Sequence, residues 1–248
     1  MAAILEIRNL HRHFGGIAAI NGLSLTLSEN ELQSVIGPNG AGKTTLFNVI
    51  TGRLHASSGQ VFYEGQEITN KPPDEIVRLG ISRTFQKSSI FPGHTVFENL
   101  RIARQAKLGG SRRIFSSKDR LKQVNEDTWL ILERLRLADQ AKTIASTLSH
   151  GDQRVMEIGI ALAGSPRLLL LDEPTAGMSP RETERTAELI RNLAKELTVV
   201  LVEHDMEVVM SISDRISVMH QGSLIAEGPP VEIQSNELVR EAYLGKEA

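Results

Sequence analysis

Gly37-Pro38-Asn39-Gly40-Ala41-Gly42-Lys43-Thr44 fits the pattern G-x-x-x-x-G-K-S/T, and its residue types suit the holding of phosphate. Glycines let successive backbone N–H groups turn inward around phosphate oxygens, and a helix that follows presents its electropositive end. Lys43 then neutralises β- and γ-phosphate charge, the Thr44 hydroxyl is a candidate magnesium ligand, and Thr45 is within reach of the α-phosphate. A second chemical pair, Asp172-Glu173, follows the apolar run Leu168–Leu171. Asp172 suits magnesium held through its water shell, and Glu173 suits a group that polarises a water attacking the γ-phosphate. Alone, such an acidic pair more often just ends a strand in solvent. The phosphate loop upstream favours the chemical reading.

Both groups need strands to carry them. Gln33–Ile36 reads as a short buried strand entering the phosphate loop, with the apolar helix Leu46–Ile50 leaving it. Leu168–Leu171 reads as a second buried strand, whose end is where open α/β sheets place ligand chemistry. Ser179-Pro180-Arg181-Glu182 starts a helix expected to run to about Glu196, ahead of a further strand, Val199–Val202. This is parallel βαβ architecture. Alternation at Leu5 and Ile7, at Leu23, Leu25 and Leu27, and at Val61 and Tyr63 before Glu64-Gly65 adds antiparallel strands. Arg215–His220 and Ser223–Glu227 flank Gln221-Gly222 as a closing hairpin before a short helical tail. The middle differs: Thr95-Val96-Phe97-Glu98 fits a capping box, and Trp129, Leu130, Leu132, Leu135 and Leu137 carry helical spacing, so residues 90–157 form a helical region. Within it, Leu108–Arg113 is a polar surface loop with solvated arginines.

With 248 residues the chain can bury a large core, and a net charge of -2 offers no broad basic field for nucleic acid. The absence of cysteine removes disulfides, thiol chemistry and thiolate-bound metals. The beginning of the sequence lacks a basic segment followed by a long apolar stretch, so a cytoplasmic protein is expected, and no apolar run approaches the roughly 20 residues of a membrane-spanning helix. A membrane role would have to come through a partner.

Kinases, GTPases and RecA-like motors share a phosphate loop and an acidic strand, so a third element decides. Leu148-Ser149-His150-Gly151-Asp152-Gln153 resembles the L-S-G-G-Q signature of ABC ATPases, with His150 at its third position. Gln86 after Arg83-Thr84-Phe85, His204 in Val202-Glu203-His204-Asp205, and Phe14 ahead of the phosphate loop fall in that family's order. The resemblance covers nearly the whole chain. It implies an α/β fold: a P-loop NTPase (RecA-like) core with an antiparallel β subdomain and an inserted helical subdomain, all within one ABC ATPase domain over 1–248. Residues 1–89 and 158–248 would form the core and 90–157 the helical part. It also implies that ATP and Mg2+ are bound, that Gln86 joins Thr44 and Asp172 at the metal and links to a permease, that His204 contacts the γ-phosphate, and that Phe14 stacks on adenine. Ser149, His150 and Gly151 would act across a homodimer, or a heterodimer with a similar ATPase, completing the opposing subunit's site. One departure stands out: the loop after Asp172-Glu173-Pro174-Thr175 usually ends in Asp in this family and here carries Ser179.

Within the family, Arg83-Thr84-Phe85-Gln86, the L-S-H-G-x-Q variant, Val202–Met206 and Glu241-Ala242-Tyr243-Leu244-Gly245 look like the branched-chain amino-acid uptake group. That implies membrane permease subunits, a substrate-binding protein in the same system, no nucleic-acid partner, and a place on the inner face of the membrane through the permease. A soluble ABC ATPase acting on ribosomes or DNA is the rival, but those usually carry tandem cassettes or a long coiled-coil insertion. A non-catalytic regulator would lack Lys43 or Glu173, and both are present.

Overall fold

The computed structural model describes residues 2–84, 90–108 and 118–244. Its centre is a six-stranded sheet in the order β10-β9-β3-β8-β7-β6, formed by β3 (Leu32–Ile36), β6 (Ile81–Arg83), β7 (Leu168–Asp172), β8 (Thr198–Val202), β9 (Arg215–His220) and β10 (Ser223–Gly228). The pairs β9-β3, β3-β8, β8-β7 and β7-β6 are parallel, and β10 closes one edge antiparallel. Every residue of β3, β7 and β8 is buried, as expected of central strands covered on both faces, which explains the continuous apolar runs Leu168–Leu171 and Val199–Val202, while β3 buries Gln33 and Ser34 as well. Because β3, β7 and β8 run in one direction, their carboxyl ends come out side by side. Val202 is paired with Val35 on one side and with Asp172 on the other.

A second, antiparallel sheet, in the order β2-β1-β4-β5, is built from β1 (Ala3–Phe14), β2 (Ile17–Ser28), β4 (Ser58–Tyr63) and β5 (Gln66–Glu67). Leu5 pairs with Leu27, Ile7 with Leu25 and Leu10 with Leu23, so the alternating apolar sets of β1 and β2 share one buried face. The Glu64-Gly65 turn between β4 and β5 has φ of 49° and 75°, the paired left-handed conformation of a two-residue hairpin. This face packs on helix α1 (Lys43–Ile50) and on Leu168, Leu170 and Val200 of the central sheet in one core.

The helical region contains α3 (Val96–Lys107) and α4 (Lys118–Arg134), and α5 (His150–Leu162) continues unbroken through residues 157 and 158. Thr95 and Glu98 form the expected capping box on α3. Leu100, Leu132, Leu135, Leu137 and Met156 join the core beneath the sheet, whereas Trp129 and Leu130 face outward, Trp129 resting on Phe97 at 5.3 Å between ring centres. The expected surface loop lies largely outside the described residues, with Leu108 ending α3. Helix α6 (Pro180–Leu193) starts where expected and stops short of Glu196, its end closed by a turn in which the carbonyls of Asn192 and Leu193 accept from Lys195 and Glu196. Helices α2 (Pro73–Leu79), α7 (Met206–Ile212), α8 (Pro230–Gln234) and α9 (Glu237–Leu244) complete the chain.

Candidate functional site

The phosphate loop leaves β3 and wraps over the start of α1. Two of its glycines are sterically required: a Cβ at Gly37 would lie 2.1 Å from the Met219 carbonyl oxygen, and one at Gly42, where φ is 104°, 2.4 Å from that of Ala19. The hairpin strand β9 and the strand β2 therefore hold the loop from behind. Gly40 is different: its φ is 81° but no atom lies within 4 Å of a built Cβ, so there the glycine serves conformation alone. Lys43 folds back across its own loop and donates to the carbonyls of Gly37 at 2.6 Å and Pro38 at 3.1 Å. Burial pushes the Lys43 ammonium below its ordinary pKa, while the charges of Glu173 and Asp172 work in the opposite direction.

A cavity of about 290 Å³ opens at this point, lined by Ala19, Asn39 to Thr45, Glu173 and His204. The expected phosphate loop, Glu173 and His204 thus share one space although they come from the ends of three strands. Glu173 has φ of 51°, a left-handed conformation unusual for a residue with a side chain, and its N–H donates to Val202 O at 2.8 Å. His204 Nε2 lies 2.9 Å from Glu173 Oε1, so the two side chains orient one another.

Asp172 is buried at the end of β7. Its Oδ2 accepts from Arg83 at 2.7 Å, and Arg83 is pinned in turn by Asn48 at 2.8 Å. Burial lowers the pKa of Arg83, and the hydrogen bond and charge of Asp172 oppose that shift. The second oxygen, Oδ1, is buried with no hydrogen-bond partner. An orphaned carboxylate oxygen beside a phosphate loop fits an acceptor set aside for a hydrated cation, and the exposed Thr44 hydroxyl is a second hard oxygen ligand. Gln86, expected as a third, lies outside the described residues.

The other expected residues are placed elsewhere. Phe14 is exposed at the end of β1, with the Arg12 guanidinium 4.5 Å from its ring centre, and it does not line the cavity. Ser149 caps α5, accepting from Asp152 N–H at 3.1 Å, and with His150 and Gly151 it too lies off the cavity lining.

Residues with no assigned role in the sequence reading tie these parts together. Glu203 is buried: its Oε1 accepts from Thr175 N–H at 2.9 Å and Thr175 Oγ1 at 2.5 Å, and its Oε2 from His204 N–H at 2.9 Å. It locks the segment after Glu173 to the segment bearing His204. A carboxylate directly after the apolar run Val199–Val202 was the available signal. Tyr243 of α9 lies close enough to the Gly37 backbone for the Gly37 N–H to oppose the rise in pKa that partial desolvation gives the phenol, so α9 sits near the phosphate loop.

Comparison with known proteins agrees with this geometry. Residues 20–176 match the ABC transporter family, and residues 223–248 match the family described as branched-chain amino acid ATP-binding cassette transporter. The chain is 41% identical over 98% of its length, and 98% of the relative's, to the high-affinity branched-chain amino acid transport ATP-binding protein BraF of Pseudomonas aeruginosa. It is 42% identical, with the same coverage, to LivG of Salmonella typhimurium. Among solved structures, it is similar to the ADP conformation of an ATP-binding cassette of an ABC transporter, with a TM-score of 0.88 and 34% identity over 99% of this chain and 100% of that one. It is also similar to a cassette solved as a dimer in a post-hydrolysis state with ADP and Pi, with a TM-score of 0.76 and 26% identity over 91% of this chain and 98% of that one. A nucleotide cassette with a phosphate loop, a paired Glu-His and a capped signature helix is the class that fold and site define. The chain belongs to the ABC transporter family, as an ATP-binding and ATP-hydrolysing subunit. Among the described residues no helix is long and apolar enough to cross a membrane.

Proposed function

We propose that this chain is one of two ATPase subunits that power import of branched-chain or related amino acids through a separate membrane permease. The observation that carries the hydrolytic half is the single cavity lined by Lys43, Glu173 and His204. Lys43 holds β- and γ-phosphate oxygens with the N–H groups of Asn39 to Thr44 around it, and Thr45 holds the α-phosphate. Glu173 orients a water in line with the γ-phosphorus, and its carboxylate takes up proton density as the oxygen–phosphorus bond forms and the bond to ADP breaks. His204, fixed by Glu173 and by the Glu203 clamp behind it, donates to a γ-phosphate oxygen. Asp172 Oδ1, Thr44 and Gln86 are the residues that would hold Mg2+, which supplies charge neutralisation on the phosphates when bound. Phe14 gives adenine an exposed aromatic face.

Ser149, His150 and Gly151 complete the site of a second cassette, a copy of this chain or a similar ATPase. Their distance from this chain's own cavity and the dimeric relative bound to ADP and Pi support that reading. ATP stabilises the closed pair because these contacts exist only there, and hydrolysis reopens it. We take residues 90–157 as the helical unit that carries the signature. A cleft of about 710 Å³ lined by Arg53, Ile76, Thr84, Ala103, Glu157 and their neighbours suits a segment of the permease. The chain would then sit on the inner face of the membrane, held by permease subunits and served by a substrate-binding protein. The names of BraF and LivG and the matching tail support the cargo class.

Gentle solubilisation of native membranes, recovery of this chain and identification of what co-elutes tests the reading. Hydrophobic permease chains with a second cassette are expected. Ribosomal or DNA-repair components with no permease would overturn it.

A further inference from the structure

The hydroxyl donor of the signature segment is already engaged within this chain. Ser149 Oγ donates to Oε1 of Glu182 across 3.2 Å, which sets this carboxylate beside Gly151. A Cβ on Gly151 would come within 2.5 Å of Glu182 Oε1, so the carboxylate lies against the glycine itself. The other oxygen, Oε2, accepts from Ser179 N–H at 3.0 Å and Ser179 Oγ at 2.7 Å. An anion from the start of α6 thus rests on the start of α5, where helix geometry favours negative charge. The same two segments touch again at His150, whose ring would lie 3.3 Å from a Cβ at Gly177.

We propose that Glu182 is an internal place-holder for the opposing subunit's γ-phosphate: it occupies the Ser149–Gly151 cradle in the separated subunit and must leave it before the nucleotide sandwich closes. This rests on the proposed cross-dimer role of the signature and extends it. The exclusion follows from donor arithmetic and charge. Ser149 has one O–H, which cannot be given to Glu182 and to a phosphate at once, and two anions meeting in one small cradle repel. The bonds from Oε2 to Ser179 need not break, so the side chain swings on that anchor. ADP has no γ-phosphate to take the carboxylate's place, and the cradle stays filled in the ADP state. The position at which the family usually carries Asp is thereby served by a carboxylate from the next turn.

The test uses the full-length chain carrying Glu173→Gln, which is expected to form an ATP-dependent dimer, compared with the same chain carrying Glu182→Gln as well. Dimer formation is followed by light scattering across a MgATP titration. A neutral carboxamide holds Ser149 less tightly than a carboxylate and does not repel phosphate, so the ATP midpoint should fall by about fivefold or more. Monomer affinity for ADP should be unchanged. An unchanged or raised ATP midpoint overturns the place-holder. If the Gln variant unfolds, Glu182→Asp gives the same readout, because the shorter carboxylate stays near Ser179 and withdraws from Ser149: a lowered midpoint supports the proposal and an unchanged or raised one overturns it. A Glu173→Gln parent that stays monomeric at saturating MgATP removes the sandwich between two copies of this chain and the place-holder in it. A dimerising parent with an unshifted double variant removes the place-holder alone.

Discussion

Replacing Glu203 with Gln alters one atom and should unseat two segments of the site. All three partners of the native carboxylate are donors to it: Thr175 N–H and hydroxyl on Oε1, His204 N–H on Oε2. A carboxamide can satisfy Thr175 through its oxygen, but its NH2 then faces the His204 N–H, and turning it over sets the NH2 against Thr175 instead. Either way a buried N–H loses its acceptor, at about 1–3 kcal/mol. The remaining bonds also lose their ionic assistance, roughly half their strength. Together this is about 3 kcal/mol, or roughly 6–12 °C in Tm for a chain of this size. Function should fall further than stability alone dictates, because His204 is set relative to Glu173 by the bond that is lost. Below the unfolding temperature, kcat should drop at least about tenfold, with ATP affinity held by the phosphate loop nearly unchanged. Urea denaturation and steady-state ATPase assays measure the two quantities. A variant within 0.5 kcal/mol of the parent by order of magnitude, with native kcat, would refute the clamp.

Lys43→Ala should weaken nucleotide binding by about 10–100-fold, the worth of charged hydrogen bonds to phosphate, and calorimetry that finds ATP affinity unchanged would remove Lys43 from its role. Gly42→Ala places a methyl against the Ala19 carbonyl at a left-handed φ, and fluorescent-nucleotide binding should be lost while the remaining fold, read by circular dichroism, persists. Glu98 accepts from the Thr95 backbone and hydroxyl, in that order of effect, which holds its pKa below 4.5. The stability it adds is therefore present above pH 4.5 and lost as pH falls through the lower folded value, so Glu98→Gln should make the acid side of the stability curve less steep.

Much of the site was legible in sequence because its parts are contiguous and flanked by strong periodic signals. Asp172-Glu173 follows an all-apolar run, which a strand buried on both faces explains, and Gly37 to Thr44 follows a short buried strand that also holds Gln33 and Ser34. Trp129 and Leu130 show the limit of spacing: they satisfy a helical pattern yet face outward, because α4 is covered on one side only. Phe14 shows the limit of order along the chain, since position ahead of the loop does not say whether the ring lines the phosphate cavity or stands outside it. The Glu203 clamp and the Glu182 contact are long-range in sequence, 28 and 33 residues from their partners Thr175 and Ser149, and no local pattern encodes such a meeting.

The pairing of β7 with β8 explains why Glu173 and the clamp occur together. Asp172 is in register with Val202, so each strand delivers one carboxylate beyond its last paired residue, Glu173 and Glu203. The left-handed turn at Glu173 sends its side chain into the cavity, while Glu203 stays buried and faces the backbone of the neighbouring segment. A residue forced to φ of 51° would relax if its surroundings allowed it. The Glu173 N–H bond to Val202 and the Glu203 bonds to Thr175 prevent that relaxation from both sides. The placement of Glu173 in the cavity thus depends on β8 as much as on β7, and its strained backbone is held by groups that do not line the cavity themselves.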